Sequence, residues 1–307
     1  MVKVAATSII RGSRRGDSHG GIYIVDFDES RVYQPVDWNT PNIDWRGHGG
    51  DRGLRGIACY KDRVFVVASD ELIEYSPNFE RIASYRNTYL KDCHEIDVHE
   101  RHLFITSAAF DSILAFNLEK QVFEKALMVR TDGQSFNMGQ FDPNSEDGPL
   151  PMNKLQLNNV HCDKGGIYVS GLGTGGLLLW NGKRLGLSAT LPGGARNVRP
   201  FRNGIILNDT ESNTLRYATP GGEDDCAFEM PLVPTRDLAN EDAEDAGIAR
   251  RGFARGLCAI NDSLLVAGSS PSTVSLYDLD QQKRLQSINL SADTRSAIHS
   301  ITVWPYY

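Results

Sequence analysis

Four stretches of the chain share one grammar: "DCHEIDVHERHLFI" (92–105), "NNVHCDKGGIYV" (158–169), "RNVRPFRNGIIL" (196–207) and "RGLCAINDSLLV" (255–266). Each runs from a polar or basic residue through a short strand-like segment and a turn into an apolar strand. The apolar strands "VFVVA" (64–68), "LFITS" (103–107), "IYVSG" (167–171), "IILND" (205–209) and "LLVAG" (264–268) fix the register. Nine residues before the start of each stands Arg55, His94, Asn158, Arg196 or Arg255. Two residues after each of these comes Ile57, Ile96, Val160, Val198 or Leu257. Five copies hold this spacing without a gap, which is the signature of a repeat architecture.

A sixth copy is split between the termini. "HSITVW" (299–304) begins with His299 and places Ile301 two residues later. Its missing second strand is "VKVAATSII" (2–10), followed by "GIYIVDF" (21–27) and "RVYQPV" (31–36). A third strand follows in the other copies, as in "ELIEYS" (71–76) and "TVSLYDL" (273–279), and a fourth in most, as in "RLQSINL" (284–290). The turns between them carry Asn, Asp, Gly and Ser. Short strands in sets of four, repeating about every 40 residues, are propeller blades. A blade built from both termini closes the ring and removes its open edges. The only helix-like piece is "LANEDAEDAGIARR" (238–251). The expected fold is therefore all-β: a single domain over 1–307, a six-bladed β-propeller in which a C-terminal strand completes the N-terminal blade.

Bulk composition narrows the function. Hydrophobic residues make up 40% and charged residues 23% of the 307, with a net charge of −7. That balance suits a globular protein and disfavours a general nucleic-acid or anionic-membrane surface. No apolar run reaches the roughly 18 residues of a membrane span. The apolar N-terminal run precedes Arg11, Arg14 and Arg15, the reverse of a signal peptide. The five cysteines form no CxxC pair, so they are expected as buried thiols in a cytoplasmic protein. "SGLGTGG" (170–176) joins two strands and opens no helix, so no nucleotide cofactor is expected.

The long connections are 10–20, 37–53, 127–153 and 236–253, and blade topology places all four on one rim. Long irregular loops in a compact domain are commonly binding loops or lids. Met138 and Phe141 are candidates for an apolar lid or for packing the third loop down. The first-position residues open the innermost strands on that same rim, so Arg55, His94, Asn158, Arg196, Arg255 and His299 should ring the channel mouth. Three guanidiniums on an acidic protein focus positive potential and suit bidentate capture of an anion. His94 is the candidate acid or base, with His299 and Glu95 as further catalytic residues. Arg55, Asn158, Arg196, Arg255 and His161 are the candidate substrate-binding residues. A divalent metal, if bound, would sit on His94, His161 and His299, or in an oxygen-rich set from Glu95, Asn158, Asn159 and Asn197. His19 and His48 lie on the rim loops. In a radial blade most side chains face the neighbouring blades, so strand parity leaves open which of them face the channel.

The stretches "DCHEI" (92–96), "LQLNNV" (155–160), "RNVRP" (196–200) and "RGFARGL" (251–257) resemble a bacterial family of six-bladed propellers of unknown function. The resemblance covers roughly residues 50–270. Family members tend to carry His where Gln156 and Arg196 stand here, so a multi-histidine site does not transfer intact. More distantly, the architecture resembles gluconolactonase-type and strictosidine-synthase-type propellers, which work at the channel mouth.

The expectation is a small-molecule enzyme of lyase, isomerase, cyclase or hydrolase type. It would act on a polar anionic substrate, without nucleic-acid or membrane partners. Two alternatives stand beside it: a metal-dependent enzyme with axial histidines, and a non-catalytic module that binds a metabolite or a protein partner. Trp38, Trp45 and Phe141 would serve a partner surface.

Overall fold

The structure is a computed structural model and describes residues 2–43, 52–239 and 250–306. Six antiparallel sheets follow one another around a central channel. The first blade orders β25 (Ser296–Val303), β1 (Lys3–Ile10), β2 (Gly20–Asp26) and β3 (Arg31–Asp37). The second holds β4 (Ile57–Tyr60), β5 (Arg63–Val67), β6 (Leu72–Tyr75) and β7 (Arg81–Tyr85). The third holds β8 (Cys93–His99), β9 (His102–Ser107), β10 (Ser112–Asn117), β11 (Val122–Thr131) and β12 (Phe136–Phe141). The fourth holds β13 (Leu157–Asp163), β14 (Gly166–Gly171), β15 (Gly176–Trp180) and β16 (Leu185–Thr190). The fifth holds β17 (Ala195–Phe201), β18 (Gly204–Asp209), β19 (Thr214–Ala218) and β20 (Cys226–Glu229). The sixth holds β21 (Leu257–Ala259), β22 (Leu264–Ser269), β23 (Thr273–Asp278) and β24 (Lys283–Asn289).

The ring closes as the split repeat requires. β25 is the innermost strand of the first blade and pairs with β1, Val4 opposite Val303 and Ile10 opposite Ser296. Trp304 N–H continues the ladder to Lys3 O at 2.9 Å. The apolar residue two places after each first-position residue is buried in every blade: Ile57, Ile96, Val160, Val198, Leu257 and Ile301. These side chains pack between neighbouring blades, so burial runs high at the axis and falls outward. β23 is buried along its whole length, while the outermost β24 is largely exposed. Cys93, Cys162 and Cys258 lie in this core, and all five cysteines are free thiols. Among the described residues no helix is long and apolar enough to cross a membrane.

The segment 127–153 differs from expectation. Its first half is not a loop: β11 continues to Thr131, turns, and pairs with β12, giving the third blade a fifth strand. Phe141 packs edge-on to Tyr89 at 4.9 Å, and Met138 packs against the cluster around Phe104 and Val129. Both side chains hold the hairpin down and do not cap the channel. Trp38 is buried in the core between the first two blades, and so it is not an exposed partner contact. His19 is fully buried with Nδ1 2.8 Å from Ser13 Oγ. Trp45, His48 and the helix-like acidic stretch at 240–249 lie outside the described residues.

Candidate functional site

The innermost strands do not alternate regularly where they meet the channel. The pairing register slips between Cys93 and Ile96, between Leu157 and Asn159, between Arg196 and Arg199, and opposite His299. Such bulges re-aim side chains, because an extra residue breaks the two-residue period. Asp92 and Gln156, each two places before a first-position residue, hold φ of 52° and 50°. Gly194 stands at the equivalent place before Arg196 with φ of 70°. The effect on β8 is that His94 lines the mouth while its neighbour Glu95 is buried among residues of the fifth and first blades.

The mouth is a cavity of about 800 Å³. Arg55, His94, Asn158, Arg196 and Arg255 all line it, so five of the six first-position residues converge as the repeat implied. Each of the four long connections adds to the wall, through Arg11, Ile43 and Arg52, Asn153, and Phe253. Among the described residues seven cationic side chains and two carboxylates line this space, on a chain whose net charge is −7. A cleft lined by one sign of charge focuses the field on an incoming ligand.

Arg55 is buried, and its Nη1 donates to Asp92 Oδ1 at 2.8 Å and to Cys93 O at 2.7 Å. Burial pushes the Asp92 carboxyl up, but the adjacent His94 and Arg55 outweigh it and hold it below the carboxylate range. Arg255 Nη2 donates to His94 Nδ1 at 2.8 Å. A guanidinium cannot accept a hydrogen bond, so His94 Nδ1 carries the lone pair and its proton sits on Nε2. That nitrogen lies 3.7 Å from Asp92 Oδ1. Burial, then the charges of Arg55 and Arg255, lower the His94 pKa to about 4.

His299 lies beneath His94 and does not line the cavity. The rings stack at 12°, and His94 Nδ1 stands 3.4 Å from His299 Nε2. His299 is fully buried, and burial with the surrounding arginines drives its pKa well down. Below it Glu95 accepts from Asn197 Nδ2 at 2.8 Å and from Ser300 Oγ at 2.9 Å, with His299 Nδ1 4.0 Å away. Burial raises the Glu95 pKa to about 7 against those stabilising contacts.

His161 does not join the mouth. Three residues deeper on β13, it places Nδ1 in contact with Asp97 Oδ2 at 2.8 Å, and that oxygen accepts a hydrogen bond from Cys162 N at 2.8 Å. Among the described residues no three His, Cys, Asp or Glu side chains gather where they could hold a metal, so His94, His161 and His299 do not form a ligand set. Of the oxygen-rich alternative only Asn158 lines the mouth, while Glu95, Asn159 and Asn197 are engaged in hydrogen bonds within and between blades. Asn159 Nδ2 donates to Val198 O at 2.8 Å, and Asn197 Oδ1 accepts from Gly256 N at 2.9 Å and Asn208 Nδ2 at 3.1 Å.

Asp92 and Ser300 are not among the residues the sequence singles out, and Asn197 is singled out only as a candidate metal ligand. Asn197 and Ser300 occupy the place after the first position, as Glu95 does, so the repeat register itself marks them. Asp92 carried no such mark, because its role depends on a left-handed backbone.

Compared with known proteins, the chain matches no protein-family model and no curated protein. Solved structures match over nearly the full length. A protein of unknown function from Bacteroides caccae aligns with a TM-score of 0.59 at 10% identity, covering 98% of both chains. A chain of a nidogen/laminin complex aligns with a TM-score of 0.58 at 11% identity, again covering 98% of both. Identities this low speak to the fold alone. On its own strand order and on these likenesses, the chain is a six-bladed β-propeller, closed by its C-terminal strand.

Proposed function

We propose that the channel mouth binds a small organic anion and that the protein is a small-molecule enzyme of lyase, isomerase or cyclase type. The observation that carries this reading is the convergence of Arg55, Arg196 and Arg255 with a neutral His94 in one cavity. Arg255 occupies the His94 lone pair at 2.8 Å. An anion entering the mouth competes for that guanidinium, uncovers Nδ1 and offsets the charges that depress its basicity. His94 can then take a proton from a carbon beside the substrate's carboxylate or carbonyl. The electron pair moves toward that carbonyl or expels a leaving group, and the arginines stabilise the developing oxyanion. His299 backs the His94 ring. The five free thiols suit the cytoplasm, where thiols stay reduced.

The test is proton exchange. Candidate anions incubated with the protein in D2O should lose a C–H signal by NMR. His94→Ala should abolish the exchange while the fold is retained. Full exchange in that variant would remove His94 from the chemistry.

A second reading, a non-catalytic metabolite-binding propeller, is favoured by one feature. At rest the His94 lone pair is already engaged by Arg255. Stoichiometric anion binding with no exchange of any ligand proton would select it.

A further inference from the structure

Resting on the anion-binding reading of the mouth, we infer that its ligand is an organic oxyanion that also carries a hydroxyl or N–H donor and an apolar body. Three observations about the cavity lead there.

The cavity wall is of two kinds. The ends of the innermost strands present Arg55, Arg196 and Arg255. The surrounding connections present Ile43, Ala108, Ala109, Leu172 and Phe253. Leu172 is 47% exposed although it belongs to a binding cavity. An inorganic ion would use the arginines and leave this apolar wall wet. A cavity near 800 Å³ lies in the range of sites that enclose an organic molecule.

Asn158 sets the polar requirement. The residue is 5% exposed and lines the cavity, and neither Oδ1 nor Nδ2 has a hydrogen-bond partner among the described residues. A carboxamide has both a donor and an acceptor whichever way it is flipped. A carboxylate oxygen satisfies the donor. It cannot satisfy the acceptor. The acceptor needs an O–H or N–H, and a buried polar group left without one is costly.

No side chain among the described residues donates to Asn158 Oδ1, the arginines of the mouth included. Arg55 already donates to Asp92 and Cys93 O, and Arg255 to His94. The group that answers Asn158 Oδ1 therefore comes with the ligand. A 2-hydroxy acid with an aryl or branched alkyl substituent has all three features.

Calorimetric titration with matched pairs tests this. The probes are mandelate against phenylacetate, lactate against propionate, and inorganic phosphate. Mandelate should bind about tenfold more tightly than phenylacetate, the effect of one satisfied hydrogen bond. It should also bind more tightly than lactate, which lacks the apolar body. In Asn158→Leu the gap between mandelate and phenylacetate should close. Equal affinity within both pairs in the wild-type protein overturns the donor assignment and leaves the anion site standing. Persistence of the gap in Asn158→Leu overturns the role of Asn158. Phosphate or lactate matching mandelate overturns the apolar body. No binding of any probe overturns the anion-site reading and this inference with it. Should Asn158→Leu fail to fold, the wild-type pairs decide alone.

Discussion

Arg255 and His94 come from blades that are not neighbours in sequence, yet Nη2 of one donates to Nδ1 of the other at 2.8 Å. The contact spans 161 positions of the chain and fixes the tautomer of the imidazole. His94 should accordingly resist protonation. An NMR titration of its ring should show a neutral imidazole throughout about pH 5 to 8, since its pKa is lowered to about 4. Arg255→Met removes one of the opposing charges and should raise that pKa by about one unit, with burial holding it below the solution value. A ring that titrates normally in the wild-type protein would contradict the lowered pKa.

Glu95 and the two histidines pull stability in opposite directions with pH. The Glu95 pKa rises from 4.5 to about 7 on folding, so the folded state holds the extra proton between those values. Its contribution is full below 4.5 and is lost as pH climbs through 7. The His94 pKa falls from 6.5 to about 4, and that of His299 falls too, so the unfolded state binds the extra protons there. Their contribution is full above 6.5 and is lost as pH drops toward 4. Glu95→Gln removes only the first effect. Relative to wild type it should gain stability on going from about pH 5 to pH 8, by roughly 2–3 kcal/mol in urea unfolding. A pH-independent difference would show that Glu95 is ionised throughout.

Gly56 is the place where the second blade touches the chemistry of the third. Its N–H donates to His94 O at 2.7 Å, and an added Cβ would stand 2.8 Å from both His94 O and Ile96 N. Both are backbone atoms that cannot rotate away. Gly56→Ala should destabilise the fold by about 2 kcal/mol or more and weaken anion binding, because relief requires shifting His94. Unchanged stability by denaturant titration would contradict the close approach.

Closure of the ring predicts that the C-terminal strand is indispensable. β25 supplies the innermost strand of the first blade and carries His299 and Ser300. A chain ending at Arg295 leaves β1 with an open edge and Glu95 without its Ser300 donor. It should fail to give a cooperative thermal transition, and a native-like transition in that truncation would contradict the pairing.

Much of this could be read from the residues because a propeller repeats its local grammar. Arg55, His94, Asn158, Arg196 and Arg255 share a register position, and symmetry brings that position to one rim. What symmetry does not encode is the backbone irregularity. The bulges beside His94 and Asn158 make consecutive side chains serve different tiers, so the repeat register alone did not separate His161 from the residues of the mouth. His299 sits under the cavity for the same reason, opposite a register slip at Thr7. The segment "FNMGQF" (136–141) lacks the β-branched alternation of a strand, and only its pairing with β11 makes it one.

The central claim is that the mouth is an organic-anion site, and ligand-observed NMR with a panel of small carboxylates and phosphates tests it most directly. Saturation-transfer signals for at least one organic anion in the wild-type protein, lost in Arg196→Leu, are the predicted result. No signal from any member of the panel, or signals that survive Arg196→Leu undiminished, would contradict it.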